Sequence, residues 1–115
     1  MCAAPFLAPL HGYPHHYYNM SHQGLINLFS GSMRVDRIDV YGSVLPIQAL
    51  TWIIRSWAEG LLGKTREEFL NLKIADLMDS GDKYIDRTFV KELSAEKNLE
   101  LACGTVLFAH KISDV

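Results

Sequence analysis

Residues 11–24, HGYPHHYYNMSHQG, hold His11, His15, His16 and His22 beside Tyr13, Tyr17 and Tyr18, without one Asp, Glu, Lys or Arg. Imidazole and phenol groups so crowded can orient a hydroxyl-bearing acceptor, and a histidine can take its proton. Tyr13, His16 and Tyr17 are candidate acceptor-binding residues on that chemistry. A metal site is a second possibility, requiring three or four ligands converging on one ion. The spacing H-x3-H-H-x5-H matches no standard zinc pattern, and the adjacent His15 and His16 would point apart in an extended segment. A third reading is plain packing, with Tyr17, Tyr18 and Met20 beneath the following helix and the histidines satisfying backbone groups.

Other reactive side chains are sparse. Cys2 and Cys103 form neither a ligand cluster nor a disulfide framework, which points to a reduced, cytoplasmic setting. Cys103 falls in an apolar run and reads as a packed, inert thiol. Trp52 and Trp57 could make an aromatic platform, but five residues apart they do not share a helical face. Trp57 fits a buried stripe.

The elements that must position these groups suit one domain of 115 residues with a modest core. Its 49% apolar and 21% charged residues are globular in character, and a net charge of -2 gives no field for nucleic acid or anionic lipid. The longest apolar run, VLPIQALTWII, is too short to span a bilayer, and the N-terminus lacks the basic region of a signal peptide. All 24 Lys, Arg, Asp and Glu residues lie at or beyond Arg34. An uncharged opening third suits the interior or ligand-facing edge of a larger fold.

Three strands are expected, in CAAPFLAPL, in MRVDRIDVY and in LELACGTVLFAHKI, the last apolar on both faces and so requiring helical cover. Ser21 should cap a helix that stops at Gly31. Ser43 should cap the next, with Pro46 in its first turn, Leu50, Ile53, Ile54, Trp57 and Leu61 on one face, and Gly63 at its end. Thr65 and Glu68 read as a capping box opening a third helix, with Phe69, Leu72 and Leu77 buried. A further helical stretch over 84–97 centres on Ile85, Phe89, Val90 and Leu93, and the charges of 82–97 read as a solvated face.

PFLAPLHGYPHHYYNMSHQGLINLF resembles the segment after the fifth strand of class I S-adenosylmethionine-dependent methyltransferases. The matching positions are Pro5, Phe6, His11, Pro14, His15, Tyr17, Met20, Ser21, Gly24 and Leu25. LACGTVLFAHK is similar to the last strand of that branch. The resemblance implies a partial methyltransferase-like, Rossmann-like α/β fold over 1–115, a sheet of about three strands with flanking helices, residues 44–97 forming a helical insertion. It implies His11 and His15 as catalytic candidates, a small-molecule acceptor, and S-adenosylmethionine as the complete fold's cofactor. The Gly-rich cofactor turn and the first four strands have no counterpart, so the chain alone should be inactive and hold no cofactor. It should need either a missing N-terminal half or a second copy, since its first strand would expose an unpaired edge. A rival reading is a small sensory module, because LLGKTREEFLNLKIADLM resembles the helical connector of PAS domains. A non-catalytic, self-associating fragment is the third.

Overall fold

The computed structural model describes residues 1–12 and 18–112. About half of the described chain is helical, and none of it forms a β-ladder. The expected three-stranded α/β sheet is therefore corrected to an all-helical body with extended arms, and the Rossmann-like reading loses its support. The five antiparallel strands of a PAS-like module are likewise absent among the described residues.

The physical reason lies in partner supply. A strand needs a neighbour to take its backbone N–H and C=O groups. Residues 34–41 are exposed and free of helix, with Tyr41 in an extended conformation, and residues 102–112 are exposed throughout, but neither run lies against the other in a ladder. The opening segment is interrupted by Pro5 and Pro9, which remove two donors. A backbone tie to the closing segment runs from the Leu10 N–H to the Glu100 carbonyl at 2.9 Å. Val106, Leu107 and Phe108 are 80%, 88% and 91% exposed, and Cys103, expected to be packed, is exposed too. The radius of gyration is 18.2 Å, against about 13 Å for a compact chain of this length.

Among the described residues six α-helices follow in order: α1 His22–Ser30, α2 Pro46–Glu59, α3 Gly63–Leu70, α4 Ile74–Leu77, α5 Thr88–Lys91 and α6 Ala95–Leu101. The Ser21 cap forms as expected, its hydroxyl accepting from the Gly24 N–H at 3.1 Å, and α1 ends at Gly31. Helix α2 starts at Pro46, whose missing N–H costs nothing in a first turn, but Leu45 rather than Ser43 is its N-cap. It stops at Gly60, three residues before the expected Gly63. A Cβ at Gly60 would come 2.9 Å from Lys97 Cγ and 3.0 Å from Leu93 Cδ2, so this glycine lets the α5–α6 segment close over the end of α2. Gly63 instead opens α3 with φ at +53°, a conformation unfavourable for a residue bearing a Cβ. Thr65 and Glu68 then fall inside the helix and make no capping box; the Glu68 carboxylate accepts from Arg87 and from the Thr88 hydroxyl.

The core is small and sits at the C-terminal end of α2. Ala58, Leu61, Phe69, Phe89 and Leu93 are buried, with Trp57, Leu72, Tyr84 and Val90 packed against them. Trp57 stacks on Phe69 with centroids 5.5 Å apart, and its indole N–H donates to the Phe89 carbonyl at 2.8 Å. The sequence stripe is thus used only in part: Leu50 remains 50% exposed, and Ile54, Leu77 and Ile85 are exposed as well. The charges of 82–97 are mostly solvated, as expected. Lys97 is the exception, most of its side chain lying in the body against Glu100.

Candidate functional site

Residues on either side of the histidine-rich stretch are tied to each other. Asn19 donates its side-chain amide to the carbonyls of Phe6 at 3.1 Å and Ala8 at 3.0 Å, and the Met20 N–H reaches the Pro5 carbonyl at 2.7 Å. Pro9, within the clasped run, is buried.

His11 is the candidate whose surroundings are defined. Its Nδ1 lies 2.7 Å from the Pro9 carbonyl oxygen. A carbonyl can only accept, so the neutral ring carries its proton on Nδ1 and Nε2 is the basic nitrogen. The imidazole also lies against the Trp52 indole, centroids 4.7 Å apart and planes tilted by 54°, which sets the ring's orientation from α2. Trp52, which the helical stripe did not include, thereby gains a positioning role. Tyr13, His15, His16 and Tyr17 lie outside the described residues. His22 opens α1 and is exposed.

Beside the clasp, an open cleft of about 300 Å³ is lined by Ala8, Leu10, Tyr18 and Asn19 from one segment and by Leu99, Glu100, Ala102, Gly104 and Thr105 from the other. It thus gathers parts of both stretches that resemble methyltransferase segments. Its floor is tied to the body through a polar triplet. The Ser56 hydroxyl, in a residue only 4% exposed, donates to Glu100 Oε1 at 2.7 Å, and Lys97 Nζ lies 2.8 Å from Oε2. Partial burial alone would raise the Glu100 carboxyl, but the donors Lys97 and Ser56 and the lysine charge outweigh it. The carboxyl is held below its ordinary range.

These residues do not fit S-adenosylmethionine. The cofactor's ribose needs a carboxylate acceptor and its charged tail a glycine-rich helix start. The one carboxylate lining the cleft is committed to Lys97 and Ser56. Among the described residues, no three His, Cys, Asp or Glu side chains are gathered to hold a metal ion.

Asn19 carried no signal in the sequence. Glu100 could have been found from its i,i+3 spacing to Lys97 had 95–101 been read as a helix. Replacing Asn19 by Ala should open the loop and leave the helical body stable to within about 0.5 kcal/mol, because Asn19 is exposed and outside the core. Amide exchange at Met20 should quicken in that variant while exchange at Leu61 stays unchanged. Equal protection at Met20 in both chains would show that the clasp is not what holds the loop.

No helix among the described residues is long and apolar enough to cross a membrane. No protein-family model, curated protein or solved structure matches the chain.

Proposed function

We propose that this chain is the acceptor-side portion of an S-adenosylmethionine-dependent methyltransferase, working in a reduced cytoplasmic setting, with the cofactor held by residues outside it. One observation carries the reading. The two stretches that resemble methyltransferase segments, far apart in sequence, line a single cleft, and Leu10 of the first donates its N–H at 2.9 Å to the carbonyl of Glu100, the residue just before the second.

In this reading the clasped loop positions a small, hydroxyl- or amine-bearing acceptor. His11, its proton fixed on Nδ1 by the Pro9 carbonyl, takes the acceptor's proton at Nε2 as the acceptor becomes nucleophilic. Trp52 keeps the ring from turning away. Orientation of this kind contributes a large share of catalysis in a direct group transfer.

The chain alone should bind neither S-adenosylmethionine nor its demethylated product saturably in calorimetry. One-to-one binding of micromolar strength would contradict the assignment. The positive test reads the coding region upstream of Met1 and expresses the joined product. A glycine-rich strand–turn–helix unit there, with methyl transfer that His11→Ala lowers by about 10²–10⁴-fold, supports the proposal. A joined product without that unit, or one in which His11→Ala leaves transfer unchanged, overturns it.

A further inference from the structure

The extended run between α1 and α2 has a property that the cleft does not use. Residues 34–41, RVDRIDVY, are all exposed, without helix or ladder, between the turn after α1 and a 3-10 turn at Gly42–Val44. Their charges are paired at i,i+2 spacing, which in an extended chain places both partners on one face. Arg34 reaches Asp36 at 3.2 Å, and Arg37 reaches Asp39 at 2.6 Å. Between them Val35, Ile38, Val40 and Tyr41 are 38%, 44%, 62% and 58% exposed. The segment is thus a β-prone edge with every side chain in solvent.

We propose that residues 35–41 pair antiparallel with the same residues of a second copy of this chain, with Ile38 opposite Ile38 across the twofold axis. The charges select this register. An antiparallel pair with a twofold axis normal to the ladder must set one residue against itself. Centring on Asp36, Arg37 or Asp39 places like charges directly opposite, which is destabilising. Centring on Val35 or on Val40 opposes no like charges but leaves few residues paired, because the chain turns at 31–33 and again at Gly42–Val44.

Centring on Ile38 pairs seven residues. It places Arg37 opposite Asp39 twice and Val35 opposite Tyr41 twice on one face, and Ile38 against Ile38 on the other. The Asp36–Val40 pairs gain nothing, but they oppose no like charge. In-register parallel pairing would instead stack arginine on arginine and aspartate on aspartate. The i,i+2 ion pairs already present would become an alternating ring of four charges across the axis.

The test traps the register in solution with the full chain. In a Cys2→Ser, Cys103→Ser background, Ile38→Cys should form a disulfide-linked dimer under mild oxidation, because directly opposed Cα atoms lie within bridging reach. Arg37→Cys and Asp39→Cys, each facing a residue other than itself, should link far more slowly. Independently, Arg37→Asp should weaken dimerisation in sedimentation by about tenfold, and Arg37→Asp with Asp39→Arg should restore it. Linking at all three positions with similar speed overturns the register. Sedimentation as a monomer at every concentration, or a charge swap that fails to rescue, overturns the pairing. Because these residues lie outside the core, circular dichroism of each variant should match the parent and exclude misfolding as the cause.

Discussion

Replacing Phe89 by Ala should unfold the helical body. Phe89 is 2% exposed and touches Phe69 and Tyr84, with ring centroids 5.8 Å and 6.0 Å away. Its carbonyl receives the Trp57 indole N–H, and the Arg87 guanidinium lies over its ring at 5.4 Å. Removing a buried phenyl ring costs about 3–5 kcal/mol, because the surrounding groups relax only partly into the void. At about 0.05–0.15 kcal/mol per residue, a body spanning residues 46–101 has about 3–8 kcal/mol in total. The loss is therefore comparable to everything that holds the body together.

Helical circular dichroism during urea titration should show a transition shifted to little or no denaturant. Leu107→Ala, in the exposed closing arm, should move the midpoint by no more than about 0.5 kcal/mol. A Phe89→Ala transition within that same small margin would mean that the five-residue core is not the seat of stability.

The second large effect concerns the triplet beneath the cleft. Glu100→Ala leaves the Ser56 hydroxyl, in an almost fully buried residue, and the Lys97 ammonium without the carboxylate that both donate to. The Ser56 bond to the charged carboxylate contributes about 1.5–3 kcal/mol, and the Lys97 pair adds less because the ammonium keeps some contact with water, so a loss of about 2–3 kcal/mol is expected. Glu100→Gln keeps an acceptor oxygen and should lose less.

The pH dependence has a definite direction. The folded-state pKa of Glu100 lies below the ordinary glutamate value of 4.5. The unfolded chain therefore binds more protons in that range, and the triplet's stabilisation is fully present above about 4.5. It is lost as pH falls through the folded-state value. Glu68 and Asp79, lowered by Arg87 with Thr88 and by Lys83 with Ser80, act in the same direction but are exposed and screened by salt. Unfolding free energies measured from pH 7 down to pH 3 should fall for the parent chain and fall less steeply for Glu100→Gln. Parallel curves for the two chains would remove Glu100 as a source of the acid sensitivity.

The sequence by itself determined the local events. Ser21 caps α1 because a hydroxyl at that position meets the orphan N–H of Gly24 whatever the rest of the chain does. Pro46 starts α2 because its fixed backbone suits a first turn, and Phe69, Phe89 and Leu93 enter the core as their spacing implied.

Tertiary structure decided the rest. Alternating apolar residues in MRVDRIDVY and LELACGTVLFAHKI meet the local requirement for a strand, yet a ladder is a property of two segments. Among the described residues neither finds a ladder neighbour, so the first stays without regular structure and the second divides into the end of α6 and an exposed arm. The early stop of α2 depends on Leu93 and Lys97, which pack against Gly60 from more than thirty residues away. The proton position on His11 follows from a carbonyl two residues back, but its ring orientation follows from Trp52 on another element. Spacing along the chain encodes caps and faces; it does not encode which faces meet, because that depends on contacts between residues remote in sequence.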